Sequence, residues 1–193
     1  MFEYGNKYNN IIKLYNCQEF QEYVPNAYPF RIEEDDERFI EELIKNECEE
    51  TDAILESLLY DKYGTLFESV DNELGALPWI IRSSGDEDRE DNPNAGAYES
   101  YICNSKEEFQ HKLAKTMLSG MIDRATQQGV FVDKNYIRKL IPVFIQKLIN
   151  CDDKDEKEHV PFIAEHVTYE MVELMAKIHD LMELKQLDTE WVI

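Results

Sequence analysis

LPWIIRSSGDEDREDNPNAGAYESYICN, residues 77–104, holds two apolar runs on either side of a long polar loop. Residues 77–81 (LPWII) are a short apolar run bounded by Gly75, Pro78 and a polar cluster, which is the pattern of a buried strand. Residues 97–103 (AYESYIC) alternate and read as a second strand. Residues 82–96 between them are rich in Ser, Gly, Asp, Asn and Pro and read as a loop.

Outward from this pair the chain alternates helix and strand signals. Residues 6–15 (NKYNNIIKLY) carry apolar positions at helical spacing. Residues 24–32, with two prolines and two aromatics, read as extended. Residues 35–63 read as helix in two pieces, the first with Phe39, Leu43 and Ile44 on one face. Thr51 or Asp52 is placed to cap the second, which carries Ile54, Leu58 and Leu59, and Gly64 to end it. Ser105 and Glu108 have the spacing of a capping box. The helix they open is predicted to run to about residue 127, with Phe109, Leu113, Met117, Met121 and Ile122 as its stripe. Residues 141–149 (IPVFIQKLI) read as a core strand and residues 151–158 as a charged linker. Thr168 is placed to cap a helix reaching residue 184, with Met171, Val172, Met175, Ile178 and Met182 apolar, and residues 187–193 read as a terminal strand. No internal repeat is present. Helices interleaved with four short strands predict an α+β or α/β fold in one compact domain spanning residues 1–193.

The chain has 193 residues, 20 Lys and Arg against 41 Asp and Glu, and a formal net charge of -21. Such an acidic excess argues against a phosphate-backbone binder, which needs a basic stripe, and against docking on anionic lipid. An apolar fraction of 43% with 11 Tyr and 9 Phe predicts a packed core despite the charge. No segment approaches the ~18 consecutive apolar residues of a membrane helix, and residues 1–10 lack the pattern of a signal peptide. Cys17, Cys48, Cys103 and Cys151 form no close pair, which fits reduced thiols in a cytoplasmic protein. His159 and His166 lack metal-ligand spacing.

The loop carries the chemistry. Arg82 follows a buried strand directly, so it stands at the strand end. Ser83, Ser84 and Gly85 bring hydroxyl and backbone donors, and Gly96 permits close backbone approach. Arg, hydroxyls and a Gly turn suit a phosphate group.

These residues also resemble the ATP-binding domain of the phosphoenolpyruvate synthase and pyruvate phosphate dikinase family. That family carries R-S-S, then E-D, then A-G-x-Y-E-S. The matching positions are Arg82, Ser83, Ser84, Glu87, Asp88, Ala95, Gly96, Tyr98, Glu99 and Ser100. Residues 4–14 (YGNKYNNIIKL) are similar to the family's G-G-K-x-x-N-L motif, and residues 24–32 (VPNAYPFRI) to its V-P-x-G-F segment. IPVFIQKLI is similar to V-x-V-Q-x-M-V, and LDTEWVI to D-I-E-W. The resemblance implies an ATP-grasp-like fold, a small mixed or antiparallel sheet of about four or more strands packed with helices. It implies ATP and Mg²⁺ as cofactors. Lys7 and Arg82 would then act on the phosphates. Ser83, Ser84, Gly96 and Gln146 would line the nucleotide site, and Asp188 and Glu190 would be the magnesium ligands.

The chain departs from the family in two places. Only residues 150–168 join the V-x-V-Q-x-M-V and D-I-E-W equivalents, where the family has a long stretch of its cleft. Nothing here resembles its L-Q-x-R-P strand, its phosphohistidine domain or its pyruvate-binding barrel. The expected activity is therefore that of an ATP-dependent phosphotransferase or part of one, with a protein partner supplying the missing domains. The alternative is a non-catalytic reduced relative, an acidic protein-binding or inhibitory module. Its runs at residues 33–37 and 86–91 would mimic nucleic acid.

Overall fold

The computed structural model describes residues 4–85, 88–89, 92–93, 98–121, 140–148 and 169–182. The chain divides into two compact units, Met1–Leu148 and Ile149–Ile193. The first contains α1 (Gly5–Tyr15), β1 (Ala27–Phe30), α2 (Glu34–Lys45), α3 (Thr51–Lys62), α4 (Leu66–Leu74) and β2 (Trp79–Ser83). There follow a small hairpin of β3 (Asp88–Arg89) and β4 (Asn92–Pro93), then β5 (Ser100–Cys103), α5 (Phe109–Met117), a 3-10 turn (Ser119–Met121) and β6 (Val143–Lys147). The second unit contributes α6 (Tyr169–Met182), on which Leu174 and Ile178 are buried.

The fold is α+β, built on a four-stranded sheet in the order β1-β6-β2-β5 with every neighbouring pair antiparallel. The register sets Arg82 between Phe144 on β6 and Ser100 on β5, and Ile80 between Gln146 and Ile102. Residues directly opposite in a ladder share a face. One face therefore carries Trp79, Ile81, Val143, Ile145 and Cys103. The other carries Ile80, Arg82, Phe144, Gln146 and Ala27.

The first face holds the main core. Ile40 and Ile44 of α2, Leu55 and Leu59 of α3, Val70 of α4, and Phe109, Leu113 and Met117 of α5 pack on it. At its centre the Trp79 ring lies 4.9 Å from that of Phe67 and 5.8 Å from that of Phe109, and Phe67 meets Phe109 edge-on at 5.5 Å. The indole N–H of Trp79 donates to the Gly75 carbonyl at 2.8 Å, so its one polar atom is satisfied. Gly75 ends α4 at φ 76°, a conformation a Cβ would penalise. α1 belongs to the opposite face, where the Tyr8 ring lies 6.0 Å from that of Phe144.

Several expectations shift. On α2 the buried positions are Glu37, Ile40 and Ile44, while Phe39 is 50% exposed. The helix phase places Phe39 about 100° away from Ile40. Thr51 lies inside α3, and its hydroxyl donates to the Cys48 carbonyl at 2.7 Å instead of accepting a helix N–H. α4 carries no sequence expectation, because residues 65–76 follow a supposed terminator, Gly64. The strand expected from residue 77 begins at Trp79, since Pro78 has no N–H for a ladder. Ser105 does not cap α5, which opens four residues later. Half of the capping box survives, because the Glu108 carboxylate accepts the Ser105 N–H at 3.2 Å and also the Asn104 N–H. α5 then ends at Met117 in the 3-10 turn, short of the expected residue 127; residues 122–127 lie outside the described residues. The strand expected at 187–193 and the cap at Thr168 lie there too. On α6, Leu174 joins Ile178 as a buried position that the expected stripe omitted.

Among the described residues no helix is long and apolar enough to cross a membrane.

Candidate functional site

The site grows from the alternation of β2. With Trp79, Ile81 and Ser83 turned into the core, Arg82 falls on the opposite face, level with Phe144. Its guanidinium carbon lies 5.9 Å from the centre of the Phe144 ring. That is the outer range of a cation–π contact. One terminal nitrogen reaches the Gln146 Oε1 at 3.5 Å, the limit of a hydrogen bond. The Gln146 amide is itself held, because its Nε2 donates to the Pro25 carbonyl at 3.1 Å and only 3% of the residue is exposed. The Arg82 Nε–H is buried and has no acceptor among the described residues. A buried donor without a partner costs about 1–3 kcal/mol, more when charged, so such a group calls for an acceptor.

α1 closes the same strand end. The Ser84 hydroxyl accepts the backbone N–H of Tyr8 at 3.0 Å, and the Ser84 N–H donates to the Pro142 carbonyl at 2.9 Å. Gly5, at φ 79°, lies so close to Ser84 that an added Cβ would strike its carbonyl and its hydroxyl. Burial, and then the neighbouring Tyr4, hold the Tyr8 phenol above its ordinary value, so it stays a neutral donor. Lys7 lies on this first part of α1, and the Nδ2 of Asn9 is a second buried donor with no acceptor among the described residues.

The fold thus brings Arg82, Ser84 and Gln146 together around the Arg82 end of β2 and the start of α1, the helix that carries Lys7, while Ser83 turns to the core face. Ser83 and Ser84 are both buried, Ser83 on the core face. Gly96 and both proposed magnesium ligands, Asp188 and Glu190, lie outside the described residues. Among the described residues no group of three or more His, Cys, Asp or Glu could hold a metal ion. Three participants were not anticipated: Phe144, Tyr8 and Gly5. Phe144 was within reach, because strand alternation in IPVFIQKLI already puts it on one face with Gln146. The roles of Gly5 and Tyr8 depend on where α1 meets β2, which no local pattern encodes.

A groove of about 910 Å³ lies elsewhere. It runs between α3 and the start of α5, lined by Glu56, Ser57, Tyr60, Lys106, Glu107 and Gln110 among others. None of Lys7, Arg82, Ser84 or Gln146 lines it. Its one cation, Lys106, is paired with Glu68 and lies 5.2 Å from the Phe67 ring centre. Its polar groups face solvent, whereas the Arg82 cluster holds a buried donor lacking an acceptor among the described residues. The Arg82 cluster is therefore the better candidate.

The forked Arg82 cation, with a buried Nε–H that has no acceptor among the described residues, suits an anionic ligand. Comparison with family models, with curated proteins and with solved structures yields no match, so the family resemblance rests on the residues of the chain itself.

Proposed function

We propose that this chain is a nucleotide-binding protein with an ATP-grasp-like domain, related to the ATP-binding domain of the phosphoenolpyruvate synthase and pyruvate phosphate dikinase family. It binds Mg-ATP for phosphoryl transfer. The observation that carries this reading is the buried Arg82 Nε–H, without an acceptor among the described residues, at the strand end where the family's R-S-S motif falls. A phosphate oxygen supplies the acceptor that this donor lacks.

Phosphoryl transfer asks a protein for charge neutralisation and alignment more than for covalent chemistry. Arg82 supplies a forked cation and Lys7 a point charge. Gln146, fixed by Pro25, offers a carbonyl oxygen beside the ligand. Asp188 and Glu190 are the proposed magnesium ligands, and the bound ion would neutralise charge on the phosphates. The transfer itself needs an acceptor domain, so a protein partner completes the cycle.

The acidic run at residues 33–37 supports this reading over a nucleic-acid mimic. Glu33 and Asp36 are paired with Lys62, Asp35 with Arg38, and Glu37 with Arg31. Glu37 and Asp36 are largely buried in these pairs, so they offer little surface to a basic partner, while Glu33 and Asp35 remain exposed.

Thermal unfolding with and without Mg-ATP tests the proposal. At about a hundredfold excess over Kd, a ligand raises stability by about 2.7 kcal/mol. For a chain of this size that is a shift of roughly 5–10 °C. Arg82→Ala is expected to abolish the shift, and Arg82→Lys to keep a smaller one. An unshifted wild type at millimolar Mg-ATP overturns the reading.

A further inference from the structure

We infer that Ser84 is a positioning residue whose hydroxyl and backbone clamp α1, the helix carrying Lys7, onto the strand end carrying Arg82. This rests on the proposed nucleotide reading for its consequence, though the clamp itself is a matter of packing. A serine after an arginine in a glycine-containing loop suggests a hydroxyl offered to a ligand. The geometry points the other way. Ser84 is 0% exposed, and its Oγ is already engaged by the Tyr8 N–H at 3.0 Å. Its N–H is engaged by the Pro142 carbonyl at 2.9 Å. Its carbonyl lies against Gly5, where no side chain fits.

The contact is therefore made from both sides. Ser84 provides the acceptor, and Gly5 provides the absence of a Cβ that lets the helix start approach. Gly5 also holds φ 79°, which an L side chain adopts only with strain. Tyr8 follows Lys7 on α1, about 100° around the helix from it and about 60° from Gly5. Its ring meets Phe144, and Phe144 in turn meets the Arg82 guanidinium. One hydrogen bond and two ring contacts thus join α1, which carries Lys7, to the strand end carrying Arg82, through Ser84, Tyr8 and Phe144. A shift of α1 moves Lys7 relative to Arg82 without touching either.

Two measurements on the full chain test this. The first is amide hydrogen exchange without nucleotide. Ser84→Ala and Gly5→Ala are each expected to speed exchange across α1 by about fivefold or more, while β2 and β6 stay protected. The second is a double-mutant cycle on Mg-ATP affinity. Ser84→Ala is expected to weaken binding about fivefold in the wild-type background and to have no further effect in a Lys7→Ala background. A residue that touched the ligand itself would show the same weakening in both. Unchanged α1 exchange in Ser84→Ala overturns the clamp, as does an equal loss of affinity with and without Lys7. If the wild type binds no Mg-ATP, the nucleotide reading falls, and the exchange measurement alone decides the clamp.

Discussion

Arg82 owes its position to two rules acting together. Alternation turns it away from the core that takes Trp79 and Ile81, and the ladder register then sets it beside Phe144 and Gln146. The alternation was legible from the sequence; the register was not, because it pairs residues 62 positions apart. Two other residues allow tests at this scale. Cys103 is buried on the core face, and burial pushes its thiol up to about 11. It is expected to stay protonated and inert at pH 8, so a thiol-reactive dye should give the same fast amplitude with Cys103→Ser as with the wild type. The Asp36 carboxyl is held below its ordinary value, first by the hydrogen bond from Lys62 and then by that from Tyr63. Its folded value lies below its unfolded one, so its contribution to stability is present above about pH 4 and lost as pH falls through the folded value. Asp36→Asn should therefore lower the urea midpoint at pH 7 and narrow the gap between pH 7 and pH 3.

At the level of elements, helices are marked by periodicity, but their phase and ends are set by what they pack on. On α2 the sequence offers Phe39 and Ile40 as neighbouring apolar residues, and the sheet accepts only Ile40. The acidic start of the same helix reads as a solvated run. Burial of Glu37 against Arg31 at 2.6 Å, and the Lys62 bridge from α3, make it a joint between helices. α5 starts late because Asn104 and Ser105 give their N–H groups to Glu108 in a turn before the helix proper. The Phe67–Trp79–Phe109 cluster joins α4, β2 and α5, so it should be the costliest place to cut. Phe109→Ala is expected to lose about 3–5 kcal/mol of unfolding free energy in chemical denaturation. Phe39→Ala, at an exposed site, should stay within about 0.5 kcal/mol of the wild type.

Across the whole molecule the net charge of -21 is the dominant long-range term. Ion pairs at Lys62, Arg31 and Arg38 offset it locally and leave an acidic excess that repels itself. Added monovalent salt screens that repulsion, so the melting temperature should rise as NaCl goes from about 10 mM to about 150 mM, where the Debye length shrinks from about 30 Å to about 8 Å. A flat or falling melting temperature would show that the local pairs, which salt weakens, outweigh the global field. The same charge makes the placement of the few cations decisive for an anionic ligand. The sequence by itself determined the mixture of helices and strands, the strands around the polar loop, the start of α1 and the candidacy of Arg82, Lys7 and Gln146, because each is written in local periodicity or in a short motif. Only the tertiary structure decided that the sheet is antiparallel in the order β1-β6-β2-β5, that Phe144 lies level with Arg82, and that Ser84 meets α1. Those facts join segments up to 119 positions apart, as in the pairing of Ala27 with Gln146. Their choice depends on which apolar faces bury together and which buried polar groups find partners, and no window of sequence contains both halves of that choice.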